Sequence, residues 1–208
     1  MKTRISFVLV GLAIVAGCGS DEPPAGQSAT TDATSSAATS TAADRTATDP
    51  ELVGLWRRVN KCSELVGALE DAGLGDVAFA VVGDFFPEFT PEELATKDDL
   101  CEGAEPIVHY HFFDAAGRFG SLDGNQDQVD GGMYELIDDG RFRIDNGDFE
   151  VDYRYEVNGD TLMLTPEITA DMIAEALASP SDFTAAGWSV AVSYPGQEWK
   201  RVPCGGWC

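Results

Sequence analysis

The sequence predicts a mainly β domain with antiparallel, up-and-down strands, and three observations predict it. Apolar residues fall at every second position through much of 107–165, turns rich in Gly, Asp and Asn interrupt the alternation, and the connections are short. Three-residue connections leave no room for the crossovers that a parallel sheet requires.

In chain order, residues 52–59, containing Gly54-Leu55-Trp56-Arg57-Arg58, read as the first strand. Residues 107–114 and 118–122 flank Ala115-Ala116-Gly117 as one hairpin, and 134–137 and 141–145 flank Asp138-Asp139-Gly140 as another, with Phe142 and Ile144 inward. The clearest strand follows. Phe149, Val151, Tyr153, Tyr155 and Val157 alternate with Glu150, Asp152, Arg154 and Glu156, giving one apolar face. Asn158-Gly159-Asp160 then signals a tight turn with positive φ, and 161–165 returns. The last strands are expected at 188–194, with Trp188, Val190, Val192 and Tyr194 on one face, and at 198–202. Two insertions carry helical signals. Leu65, Val66 and Leu69 lie near helical spacing within 62–72, and Thr90-Pro91-Glu92-Glu93 is an N-cap followed by Pro at the first helical position. Ile168, Met172, Ile173, Ala176 and Leu177 share one helical face within 166–178, after a Thr165-Pro166 start. Either insertion is placed to plug a barrel or cover its mouth.

Gly54-x-Trp56 in the first strand, a run of hairpins, and Arg201 at the end of the last strand together resemble the pattern of lipocalins and their calycin relatives. The resemblance spans 51–202 as a pattern of strands and implies an antiparallel lipocalin-like barrel with helical insertions, in which Arg201 lies across Trp56 where the barrel closes. A guanidinium over an indole contributes about 0.5–2 kcal/mol. The resemblance also implies a small apolar ligand inside the barrel. Trp56, Tyr110, Phe112, Tyr153, Tyr155 and Trp188 are the candidate wall residues.

The amino terminus reads as an export signal. Met1-Lys2-Thr3-Arg4 is basic, and the apolar run 5–15 is too short to span a bilayer comfortably. Val15-Ala16-Gly17-Cys18 resembles the lipobox of bacterial lipoproteins, which implies cleavage after residue 17 and a diacylglyceryl group on the Cys18 sulfur. Residues 18–50, rich in Ser, Thr, Ala and Asp, have no apolar periodicity and are expected to form a tether. The folded domain is expected over 51–208. The whole sequence carries a formal charge of −23, and loss of Lys2 and Arg4 with the signal makes it −25. Such acidity argues against nucleic acid and against direct binding to anionic headgroups. The expected location is therefore the outer face of a bacterial membrane, held there by the lipid on Cys18.

Beyond Cys18, four cysteines remain, Cys62, Cys101, Cys204 and Cys208, and an even number in an exported domain points to two disulfides. Three pairings are open. Cys62 with Cys101 would bracket the helical insertion, and Cys204 with Cys208 would close a small loop over Gly205-Gly206-Trp207. Pairing Cys62 with Cys204 is harder, because they leave opposite ends of neighbouring antiparallel strands.

Candidate chemistry is sparse. His109 and His111 share one strand face in a spacing metals use, yet no third ligand is identifiable. Asp123-x-Asn125-x-Asp127 resembles the start of a calcium loop but departs from it at Gln128 and Tyr134, and a polar hairpin loop explains the same residues. No nucleophile elbow, reactive-cysteine motif or phosphate-cradling glycine loop is present. The expected function is therefore non-catalytic, with no cofactor. A membrane-anchored extracytoplasmic binding lipoprotein is the first expectation, and an envelope structural or protein-interaction module with a filled barrel is the alternative. A cleft holding a buried carboxylate of raised pKa would favour an enzyme instead.

Overall fold

The structure, a computed structural model, describes residues 48–86 and 90–208. The signal, Cys18 and nearly all of the tether lie outside the described residues. Eight antiparallel strands close into an up-and-down barrel in which each strand pairs with its sequence neighbours and the last pairs with the first. They are β1 (Gly54–Asn60), β2 (Ile107–Phe113), β3 (Arg118–Leu122), β4 (Gln128–Asp138), β5 (Arg141–Asp145), β6 (Glu150–Asn158), β7 (Thr161–Pro166) and β8 (Glu198–Val202). This is the expected mainly β architecture, and it is compatible with a lipocalin-like fold.

The turns explain the register. Asp114 Oδ1 accepts from the backbone N–H groups of Ala116 and Arg118, both at 2.8 Å, while Gly117 takes φ 81°, so the β2–β3 hairpin sets His111 opposite Ser121. The β6–β7 turn differs by one residue from the sequence expectation. Asn158 is the last residue of β6 and pairs with Thr161, so Gly159 and Asp160 form the loop and Gly159 alone has positive φ, 60°. That is the glycine-first form of a two-residue hairpin.

Between β1 and β2 the chain forms α1 (Cys62–Asp71), a 3₁₀ turn (Gly75–Val77), α2 (Ala78–Phe85) and α3 (Pro91–Leu94). The start of α3 is a capping box: Glu93 accepts from both the backbone N–H and the hydroxyl of Thr90. The second insertion supplies α4 (Ala170–Ala178), but its N-cap is Thr169, whose hydroxyl accepts from Met172 N at 3.2 Å. Pro166 instead ends β7, pairing with Tyr153, where the ladder can spare an N–H.

The expected strand at 188–194 is a helix, α5 (Ala185–Ser193). Thr184 caps it, and every residue from Ala186 to Ser193 is buried. The alternation misled because the intervening residues are small and buried too. Ser189 and Ser193 turn their hydroxyls back onto the carbonyls of Ala186 and Ser189 at 2.9 and 2.8 Å. A helix buried all round has no amphipathic signature to read. The αL conformation of Tyr194, φ 47°, ends it.

Helix α5 joins two cores. Ala186, Val190, Ala191 and Tyr194 pack with Leu65, Leu69, Val81 and Val82 of α1 and α2. Trp188 and Val192 pack inside the barrel with Trp56, Phe113, Phe119, Phe142, Tyr153 and Trp199. A third, smaller cluster of Leu55, Phe112 and Leu122 lies on the opposite face of the same strands, beneath Trp207. By the strand directions, α1, α2 and the connections 123–127 and 146–149 lie at one end of the barrel, here called the mouth. Residues 49–53 and the carboxyl terminus lie at the other.

Candidate functional site

At the end opposite the mouth, called the closed end because β1 and β8 pair there, the guanidinium of Arg201 sits over the Trp56 indole, 4.1 Å from its centroid. Arg201 donates to Val53 O at 2.7 Å and to Glu51 O at 2.5 Å, and Trp56 Nε1 donates to Leu52 O at 3.0 Å. A Cβ on residue 54 would meet the Arg201 guanidinium, so a larger residue there would have to displace it from its place over the indole. Both disulfides join the residues that the helical-insertion pairing favours: Cys62 with Cys101 and Cys204 with Cys208, with Cα separations of 5.5 and 5.6 Å.

The candidate wall residues do not share one surface. Tyr110 and Phe112 belong to the outer cluster, because β2 turns His109, His111 and Phe113 inward and alternation sends the other two out. Phe112 stacks on Trp207, with ring centroids 5.2 Å apart. Trp56, Tyr153 and Trp188 point into the barrel, where the Tyr153 and Phe142 rings stack at 5.4 Å and Trp188 Nε1 donates to Asp130 Oδ2 at 2.7 Å. Tyr155 sits at the closed end, its hydroxyl donating to Asp49 Oδ2 at 2.6 Å. Interior positions are thus occupied by aromatic rings and by α5. Trp188, expected as a strand residue lining a lumen, is the part of α5 that fills it.

A concave cleft of about 500 Å³ opens at the mouth, between α2, the edge of β2 and the β3–β4 connection. Its floor and walls are Phe85, Ile107, Val108, His109, Ser121 and Val129, with Asp84, Asp123 and Asp130 around them. Asp123 is held in place: its Oδ1 accepts from Asn125 N and Asp127 N at 2.8 and 2.9 Å, and these bonds hold its carboxyl below the ordinary range. The residues that resemble a calcium loop therefore close their own turn. Asp130 accepts from Gly131 N as well as from Trp188. Asp84 is exposed at the rim, and partial desolvation raises its carboxyl. It does not meet the criterion of a buried acid.

Beneath the cleft His109, Ser121 and His111 form a chain. His109 Nε2 is 3.3 Å from Ser121 Oγ, Ser121 Oγ is 2.9 Å from His111 Nδ1, and His111 Nε2 is 2.7 Å from the carbonyl of Val192 on α5. The His111 ring also lies 4.2 Å from that of Trp199. Both ring nitrogens of His111 are thus engaged by protein. Among the described residues no group of three or more His, Cys, Asp or Glu is arranged to hold a metal ion. Sequence reasoning found the two histidines but missed Ser121, Asp84, Phe85 and the Val192 carbonyl. Counting outward from the Asp114–Arg118 turn would have placed Ser121 opposite His111. Nothing local signals Val192, which is 81 residues away.

Burial pushes His109 down to about 4, with Asp123 opposing it, and lowers His111 well below its ordinary value. An unfolded histidine titrates near 6.5, so below that pH the unfolded chain takes up protons that the folded one refuses. Stability present at neutral pH is therefore lost as pH falls from about 6.5 towards 4, by about 3 kcal/mol from His109 alone. Urea unfolding at pH 7.5, 6.0 and 4.5 should show this slope, and His109→Phe should flatten it. An equal slope in that variant would reassign the effect to other groups.

Comparison with known proteins finds no matching family model, no matching curated protein and no matching solved structure. The fold and site accordingly define a class in architectural terms: a closed eight-stranded antiparallel barrel with a filled interior and a polar-rimmed cleft at its mouth.

Proposed function

We propose that this chain is a non-catalytic, extracytoplasmic binding lipoprotein, anchored to the outer face of a bacterial membrane by a lipid on Cys18, that takes a small molecule at the mouth of a lipocalin-like barrel. The observation that carries the reading is the contrast between the interior, occupied by Trp56, Tyr153, Trp188 and Trp199, and the open cleft beside His109. Its volume of about 500 Å³ falls in the range of small-molecule sites, and apolar walls with a few fixed polar groups are their usual lining. Lipocalin kinship is supported by Gly54, Trp56 and Arg201 meeting where β1 and β8 pair. The lipobox-like Val15-Ala16-Gly17-Cys18 supports the anchor.

Mass spectrometry of the chain recovered from membranes tests this. The expected mass begins at Cys18, carries a diacylglyceryl group and lacks four hydrogens for the two disulfides. Under native conditions a noncovalent adduct should be retained and should disappear in His109→Phe. An unprocessed soluble chain would overturn the anchor, and an adduct indifferent to His109 would overturn the mouth as the site. A bare polypeptide would favour a second reading, an envelope protein-interaction module, which the filled interior also supports.

A further inference from the structure

The polar chain beneath the cleft fixes a proton arrangement, and that arrangement selects a ligand. A backbone carbonyl only accepts hydrogen bonds, so His111 Nε2, 2.7 Å from Val192 O, carries a proton. In the neutral ring Nδ1 is then a lone pair, and Ser121 Oγ, 2.9 Å away, donates to it. Having given its one proton to His111, Ser121 accepts from His109, so the His109 proton is on Nε2. The second nitrogen of His109, Nδ1, is left as an unprotonated acceptor. It has no hydrogen-bond partner among the described residues, on a side chain only 6% exposed that lines the cleft.

Charge narrows the choice. Asp84, Asp123 and Asp130 line the cleft, and no Lys or Arg is found among its described lining residues. Two of these carboxylates are fixed by hydrogen bonds before any ligand arrives, so little ordering opposes their use. An anion would meet like charge, and a neutral molecule would leave the field unused. Phe85, Ile107, Val108 and Val129 supply apolar contact for the remainder of the ligand.

We propose that the cleft recognises a small organic ammonium, an amine cation on an apolar body, whose N–H donates to His109 Nδ1 within the field of Asp84, Asp123 and Asp130. This assignment rests on the mouth as the binding site and adds the ligand class. Specificity follows from the acceptor: a quaternary ammonium has the charge but no N–H, and should bind less well than a primary one.

The chain has only two histidines, so nitrogen NMR of the full chain, disulfides intact and labelled with ¹⁵N-histidine, reads the site directly. Both rings should be in the Nε2–H form at pH 7.5. Three probes of nearly equal size are compared: 2-phenylethylammonium, 2-phenylethanol and phenylacetate. The ammonium should shift His109 Nδ1 while leaving His111 in the same tautomer, and should bind about tenfold or more tightly than the alcohol, as expected of a charge-assisted bond at a partly desolvated site. Asp84→Asn, at an exposed rim position, should keep the fold and weaken the ammonium roughly two- to fivefold. His109 found protonated at Nδ1, the alcohol binding as tightly as the ammonium, or phenylacetate preferred would each overturn the ammonium assignment while leaving the mouth as a site. No probe moving His109 would overturn the mouth as well.

Discussion

Replacing Trp56 with alanine lowers the free energy of unfolding by about 3–5 kcal/mol, the cost of emptying a fully buried indole site. The indole is both interior packing and the floor on which Arg201 rests, so truncation removes the contact at 4.1 Å as well as the buried surface. Arg201→Ala alone should cost less, about 0.5–2 kcal/mol for the stacked cation together with the bonds to Glu51 O and Val53 O. A double-mutant cycle by urea unfolding separates the two. Because Arg201 has no indole to lie on once Trp56 is gone, the combined loss should fall short of the sum. Strict additivity would mean that the stacked pair contributes nothing as a pair.

Cys62→Ala together with Cys101→Ala is expected to cost about 4 kcal/mol, since the bridge closes a loop with a sequence separation of 39 residues. The same change at Cys204 and Cys208, separated by 4, should cost only about 2 kcal/mol. Location sharpens the distinction. The longer loop contains α1, α2 and α3, which pack around Leu65, Leu69, Val81 and Val82 against α5. Hydrogen exchange should therefore accelerate first in Cys62–Asp71 and Ala78–Phe85, with β4 to β6 little changed. Uniform acceleration through the barrel would show that the helices and the sheet unfold as one unit.

What was legible in the sequence is what short-range chemistry dictates. The hairpins followed from Gly117, Gly140 and Gly159, which take positive φ at their turns. The paired cysteines followed from their number, and the Gly54, Trp56 and Arg201 arrangement from a pattern that spans the first and last strands. The illegible parts depend on contacts made across the molecule. Helix α5 looks like a strand because its large residues alternate with Ser189, Ala191 and Ser193, and only tertiary packing decides that both sets are buried. Phe112 differs from Phe113 in nothing local, yet one covers the outside of the barrel and the other fills it. The cleft draws on α2, β2 and the β3–β4 connection, and no single stretch of sequence carries it.

The pairing of β1 on both sides has a consequence for the order in which the protein is made. From β2 to β7 every strand meets its next partner across a short connection, so these hairpins can form as the chain lengthens. The first strand synthesised waits instead for Ile107–Phe113 beyond the helices and for Glu198–Val202 near the carboxyl terminus. Such distant pairing is the slow step in β folds. A nascent chain therefore holds Trp56 without its final neighbours until Glu198–Val202 has emerged, and a premature stop before Glu198 leaves two open sheet edges where the closed barrel has none.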